Sequence, residues 1–345
     1  MGSNMSNNQV NSEASPVRWG IISTANIACA KVIPALLASP NCEVKAIASR
    51  SLANAQSKAQ QFGIPQAYGS YEELLNDPDI EAVYIPLPND QHVDMVLAAT
   101  ARGKHVLCEK PIALNAREAE RLRDIPDPIM VAEAFMVRHH PQFDRLRQEL
   151  RSNRHGKIHT VQILLSFMLN NPGDFRYDVN RGGGAMFDLG CYAVMSARYL
   201  YGRAPQRVFC SMLRSAENGT DELSHAILDF GDGQQATLTV GLKMAAAQRL
   251  QVVCEKSLLD LSAPYVPSAG SPAMLTIDSQ PGLDDASPLS IAMPVKEQYQ
   301  CEVSHFARCV RGECVPEFGV EDAIEQMKTL DALFASAASG QWQTL

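Results

Sequence analysis

From residue 17 to residue 134 the chain keeps switching between two hydrophobic periods, and this alternation restricts its fold more than anything else. Short β-branched and apolar runs at 17–22, 43–48, 80–85, 104–107 and 129–132 alternate with helically spaced stretches at 27–37, 52–61, 91–101 and 115–123. Strands separated by helices need crossover connections, which orders them parallel and covers both faces of the sheet. The first half therefore reads as α/β, a doubly wound parallel sheet.

The second half has another rhythm. A helix at 142–150 and a strand at 158–167 precede Gly182-Gly183-Gly184, a turn that opens a helix running to about residue 201. Strand patterns then follow closely at 207–213, 225–230, 236–242 and 250–254, and Asp229-Phe230-Gly231-Asp232-Gly233 is a hairpin signal. This half is expected to be α+β with a mostly antiparallel open sheet. Residues 262–294, rich in Pro and Ser, read as a long loop, and helices at 302–311 and 320–338 close the chain. A length of 345 residues exceeds what one core usually organises. The expected division is a disordered leader at 1–15, a nucleotide-binding domain at 16–135 and a substrate and dimerisation domain at 136–345.

Composition removes several classes of function. A net charge of −8 disfavours nucleic acid, which needs clustered Lys and Arg; the basic stretch 145–157 reads as a solvated helix end. The apolar runs are too short to span a bilayer, so no membrane partner is expected. Nine cysteines are scattered without a CxxC pair, and Cys309 and Cys314 are the nearest in spacing. Reduced thiols, a cytoplasmic location and no metal site are the corresponding expectations. The polar start lacks the apolar region of a signal peptide.

The candidate chemistry falls at strand ends. After the first strand comes Ser23-Thr24-Ala25-Asn26-Ile27-Ala28, in which Ser23, Ala25 and Ala28 occupy the three glycine places of a dinucleotide turn. Small side chains still allow close approach to a pyrophosphate, and the hydroxyls of Ser23 and Thr24 are candidate donors; a plain strand-turn-helix is the alternative. After the second strand stands Ser49-Arg50-Ser51, where an NAD enzyme would carry an acid for the ribose hydroxyl. Arg50 suits a 2′-phosphate, so the expected cofactor is NADP(H). Pro88, Asn89 and His92 follow the next strand, and Glu109-Lys110-Pro111 the one after, both at the ligand-binding edge of such sheets. Asp188 and Tyr192 lie four apart in an apolar helix and share a face; the carboxylate needs a partner there, unless it only caps a local turn.

Taken in order, these segments resemble the glucose–fructose oxidoreductase, inositol dehydrogenase and rhizopine-catabolism family, Gfo/Idh/MocA. The resemblance rests on the 20–28 turn, Tyr71-Glu72-Glu73-Leu74-Leu75, Pro88-Asn89-x-x-His92, Glu109-Lys110-Pro111, the triple glycine and Asp188-x-Gly190-x-Tyr192. The Ser-Thr-Ala turn, Glu133-Ala134-Phe135-Met136-x-Arg138 and Tyr192 look most like its aldose and dihydrodiol dehydrogenase branch. It implies a Rossmann domain, an open-sheet domain, a cleft between them, and a homodimer or higher homo-oligomer. It also implies cofactor contacts from Ser23, Thr24, Ala25, Asn26, Ile27, Ser49, Arg50, Pro88, Asn89, His92, Glu109 and Lys110, and substrate contacts from Phe135, Arg176, Asp188 and Tyr192.

Hydride transfer to or from a carbinol carbon needs a protein group for the hydroxyl proton. Tyr192 is expected to carry it, with the Lys110 ammonium lowering the phenol's pKa and Asp188 orienting; Lys110 is the second choice. The expected substrate is a carbohydrate-like small molecule: a sugar, polyol or dihydrodiol. A non-catalytic NADP-binding regulator is the alternative on the same scaffold. A methyltransferase is a third reading, disfavoured by Arg50 where it would need an acid.

Overall fold

Residues 15–268, 270–279 and 288–345 are described by the computed structural model. All of the expected leader except Ser15 lies outside these residues. Six parallel strands form the first sheet: β1 (Val17–Ile22), β2 (Cys42–Ala48), β3 (Gln66–Tyr68), β4 (Ala82–Ile85), β5 (His105–Glu109) and β6 (Val131–Ala134). Their spatial order is β3-β2-β1-β4-β5-β6, so the winding reverses between β1 and β4. Such a reversal leaves a crevice beyond the carboxyl ends of the strands. The crossovers include α1 (Ile33–Leu37), α2 (Leu52–Phe62), α3 (Tyr71–Leu75), α4 (His92–Thr100) and α5 (Ala116–Glu120). Capping sets three of their starts: the Oγ of Ser51 accepts from the Asn54 N–H, that of Ser70 from the Glu73 N–H, and the Oδ1 of Asn115 from the Glu118 N–H.

After α6 (Pro141–Arg151) the chain builds a nine-stranded sheet. β7 (Ile158–Met168) is followed by α7 (Cys191–Tyr201), then β8 (Arg207–Arg214), β9 (Asp221–Gly231), β10 (Gln234–Gly241), β11 (Lys243–Cys254) and β12 (Leu258–Leu261). β13 (Met274–Asp278), β14 (Leu289–Ala292) and the C-terminal β15 (Gln343–Thr344) complete it. The order is β14-β13-β12-β11-β7-β10-β9-β8-β15, with β7 and β10 parallel and every other pair antiparallel. This is the expected α/β plus α+β arrangement. The expected loop at 262–294 is corrected by β13 and β14, where Leu275 and Ile277 turn inward by strand alternation despite the Pro and Ser around them.

α8 (Gln298–Val310) and α9 (Val320–Ser339) end the fold. α9 packs on β8, whereas α8 returns to the first sheet. Its Val303, Phe306 and Ala307 join a core with Trp19, Ile21 and Val32, and the Phe306 and Trp19 ring centres are 5.3 Å apart. No described helix is long and apolar enough to cross a membrane.

Candidate active site

A cleft of about 1320 Å³ runs along the carboxyl edge of the first sheet and is closed on its far side by the second sheet. At its floor, the turn after β1 supplies Ser23, Ala25, Asn26 and Ile27, the end of β2 supplies Arg50, and the loop after β4 supplies Pro88 and Asn89. Glu109, Lys110, Arg176, Asp188 and Tyr192 also line it. Ser23 has φ 107°, a conformation that glycine adopts without strain. The backbone thus makes the tight turn of a dinucleotide loop although the glycine is missing. Asn26 and Arg50 are exposed, and no hydrogen-bonding or ion-pair partner of Arg50 is present among the described residues.

Four expected contacts fall outside the lining: Thr24, Ser49, His92 and Phe135. Ser49 is buried, and its Oγ accepts from the Ser51 N–H. His92 is fully buried with Nδ1 2.8 Å from the Pro111 carbonyl and Nε2 2.7 Å from the Leu87 carbonyl. It braces the loops after β4 and β5 against each other from behind the cleft lining. Phe135, also fully buried, sets its ring edge-on behind Tyr192 with centres 5.3 Å apart.

Lys110 extends from the end of β5 to Asp188, 78 residues later. Its Nζ donates to Asp188 Oδ1 and to the Asp188 carbonyl, both at 2.9 Å. The other carboxylate oxygen lies 2.8 Å from Arg176 Nε, and Arg176 also contacts Asp174. Burial opposes ionisation of Asp188, but Lys110 and then Arg176 outweigh it and hold the carboxyl well below its ordinary range. Burial likewise opposes the Lys110 charge; Asp188 reverses this and holds the ammonium above its ordinary value.

The backbone that brings these groups together is specific. A π-helical turn at Met186–Gly190 precedes α7, and such turns interrupt the regular helical ladder. Its start is held by Asp221, whose Oδ2 accepts from the Met186 N–H at 2.8 Å, a residue that sequence patterning did not single out. The triple glycine folds against the segment carrying Arg176. A Cβ on Gly183 would lie 2.5 Å from the Arg176 carbonyl oxygen, so only glycine allows this approach.

Tyr192 departs from expectation in its ionisation. Burial, followed by Tyr299 and Glu109, pushes its phenol well above the ordinary value. The Lys110 ammonium does not offset this: Nζ sits 4.8 Å from the ring centre and is already paired with Asp188. The hydroxyl meets only the Met136 sulfur at 3.3 Å among the described residues. Tyr265 and Tyr299 also line the cleft. Tyr265 packs edge-on to Tyr192 and was hidden in the segment read as a loop; no pattern in the sequence marks Tyr299. A second buried pair lies beneath Lys110, where the Tyr84 hydroxyl donates to Glu109 Oε1 at 2.5 Å.

Charges are distributed unevenly along the cleft. On the Asp188 side each cation has a carboxylate: Lys110 has Asp188, Arg176 has Asp174 and Asp188, and Arg181 has Asp90 at 3.6 Å. On the β1–β2 side Arg50 and Lys31 line the cleft with no ion-pair partner among the described residues.

Comparison with known proteins agrees with this layout. The family described as "Oxidoreductase family, NAD-binding Rossmann fold" matches residues 17–127, and "GFO/IDH/MocA C-terminal domain" matches residues 143–260. A D-xylose 1-dehydrogenase (NADP+) of Haloferax volcanii is 36% identical over 93% of this chain and 98% of its own. A trans-1,2-dihydrobenzene-1,2-diol dehydrogenase of Mus musculus is 31% identical over 73% of this chain and 76% of its own. The crystal structure of a 3-ketoreductase from Actinomadura kijaniata, in complex with NADP and TDP-benzene, superposes with a TM-score of 0.86 at 29% identity. That match covers 93% of this chain and 98% of the other.

Proposed function

We propose, for a chain that belongs to the Gfo/Idh/MocA oxidoreductase family, that it interconverts a carbinol and a carbonyl on a neutral polyhydroxylated molecule with NADP(H) as the hydride carrier. The observation that carries this reading is the Lys110–Asp188–Arg176 network beside Tyr192, set in one cleft with Arg50, which has no ion-pair partner among the described residues.

The residues present fit the dinucleotide. The left-handed Ser23 turn leaves the main chain of 23–27 facing the cleft at the sheet's switch point, where pyrophosphates bind. Arg50 would hold the 2′-phosphate, with Lys31 adding positive charge nearby. When bound, the nicotinamide supplies or accepts the hydride; proton handling falls to the protein. Tyr192 keeps its proton because burial disfavours the phenolate, and it donates that proton to a substrate carbonyl oxygen. The Lys110 ammonium, held charged by Asp188, binds the same oxygen and stabilises the negative charge that grows on it. Both groups start protonated, the state that carbonyl reduction requires of them, and the alkoxide that forms as hydride arrives is basic enough to take the phenol's proton. A sugar or polyol suits the other end because the nearby cations are already neutralised by carboxylates, leaving none free for a phosphate on the substrate.

NADPH fluorescence titration followed by a turnover screen with sugars, polyols and a dihydrodiol tests the proposal. Lys110→Ala and Tyr192→Phe are expected to lose about 100-fold or more in turnover while NADPH affinity stays within about threefold. Near wild-type turnover in both variants would overturn the assignment.

A further inference from the structure

The last turn of α8 gathers three donor atoms well away from the chemistry just described. His305 and Cys309 are four residues apart on one helix face, and Cys309 Sγ lies 3.6 Å from His305 Nε2. The chain then reverses at Gly312, which has φ 73°, and returns Cys314 to within 2.7 Å of Cys309, sulfur to sulfur. All three donor atoms lie within 4.8 Å of one another. A His-x3-Cys-x4-Cys spacing is not a familiar zinc pattern, which is why no metal was expected from the spacing of the cysteines.

Beside this cluster is a small cavity with polar groups in its lining and room for a water. His305 and Cys309 border a cavity of about 30 Å³ that is also lined by Glu133 and Glu302. Glu133 Oε2 and Glu302 Oε1 are buried there without a hydrogen-bond partner among the described residues. Orphaned carboxylate oxygens are costly in a dry interior, and a nearby positive charge or its bound water would satisfy them.

Geometry favours one class of ion. Zinc bonds of about 2.3 Å to sulfur and 2.1 Å to nitrogen, at a tetrahedral angle, place S and N about 3.6 Å apart and two sulfurs about 3.8 Å apart. The His305–Cys309 separation already has that value. The sulfurs need to part by about 1 Å, and Cys314 Sγ to settle about 3.6 Å from His305 Nε2 within a cluster now spanning up to 4.8 Å, movements within reach of the short turn that carries the partly exposed Cys314.

We propose that His305 Nε2, Cys309 Sγ and Cys314 Sγ bind a soft divalent cation of the zinc class, with one water from the adjoining cavity completing the tetrahedron. Each thiol releases its proton to solvent on binding. The site is structural. Cys309 is ten residues from Tyr299 at the cleft, about 15 Å along the helix. Between them Val303, Phe306 and Ala307 pack into the first sheet's core. The ion would clamp the end of α8 to the loop behind it, reinforcing the Arg311–Glu81 ion pair.

Titration of the full, reduced, metal-free chain with Co2+ tests this. One equivalent is expected to raise a near-ultraviolet thiolate-to-cobalt band and the visible bands of tetrahedral cobalt, both bleached by Zn2+. Cys309→Ser and Cys314→Ser each lose the thiolate band at that stoichiometry, and His305→Ala weakens binding about tenfold or more. Cys301→Ser, on the same helix but outside the cluster, leaves the titration unchanged. Circular dichroism confirms that each variant is folded; if Cys309→Ser is not, the partly exposed Cys314 carries the test. Absence of a stoichiometric band in the reduced chain overturns the proposal, as does a band that survives in Cys314→Ser. Isolation of the chain with a Cys309–Cys314 disulfide and no cobalt uptake after reduction overturns it equally.

Discussion

Asp188→Asn removes the charge between Lys110 and Arg176 while keeping the side chain's shape. In the native site the carboxylate takes Lys110 at 2.9 Å through one oxygen and Arg176 at 2.8 Å through the other. Removing the anion from such a buried arrangement costs about 3–5 kcal/mol, because the cations stay buried. Arg176 retains Asp174, so the lower end, about 3 kcal/mol, is expected. If that loss is felt in the transition state, kcat/KM falls about 100-fold. The pH profile supplies a second signature. Lys110 is held above its ordinary value because Asp188 outweighs burial; with the carboxylate gone, burial and Arg176 oppose the charge, only the smaller influences of Cys191 and Glu109 support it, and the value falls. A raised cation contributes fully at low pH and loses its contribution as pH rises through the folded-state value, so lowering that value moves the loss to lower pH. The alkaline limb of kcat/KM, which in the native chain lies above the ordinary lysine value, should therefore move toward acid in the variant and enter an assay range of roughly pH 6 to 10. In a double-mutant cycle, Lys110→Met should cost much less in the Asp188→Asn background than in the native protein. A variant within threefold of the native kcat/KM, with an unmoved alkaline limb, would refute the reasoning.

Three further outcomes follow from the geometry. Arg50→Asp should move preference from NADPH toward NADH, with roughly 10- to 100-fold weaker NADPH binding from one lost charge-assisted contact; parallel titrations of the two dinucleotides read it directly. Ser23→Gly should raise stability by about 1 kcal/mol in urea unfolding, since release of the φ 107° strain exceeds the entropy cost of glycine; a loss of stability would mean that the hydroxyl holds the turn. Gly183→Ala puts a methyl group against the Arg176 and Asp178 carbonyl oxygens, at 2.5 and 2.7 Å. Turnover should fall while NADPH affinity, measured by fluorescence, is retained.

Much of the site was legible because it sits at strand ends. Lys110 and Arg50 follow apolar runs that alternate with helical ones, and a parallel sheet sends all such ends to one edge. Tyr192 and Asp188 could be paired by helical spacing. That spacing placed them on one face, but it could not reveal the π-helical turn that offers the Asp188 carbonyl to Lys110. Residue type alone cannot separate a ligand contact from a brace, so His92 and Phe135 read as contacts although both are buried behind the cleft.

The periods, the turns and the order of the two halves belong to the sequence alone, because they depend on interactions within a few residues. Which charges meet was settled by tertiary packing. Lys110 finds Asp188 across 78 residues, Arg176 reaches it over the triple glycine, and Cys314 comes back upon His305 and Cys309. Packing also reversed the expected direction of the Tyr192 pKa. Burial outweighs the ammonium here, which lies over the ring and has its charge largely compensated by Asp188. Desolvation and ion pairing depend on where every neighbour finally packs, and no local pattern in a chain encodes that.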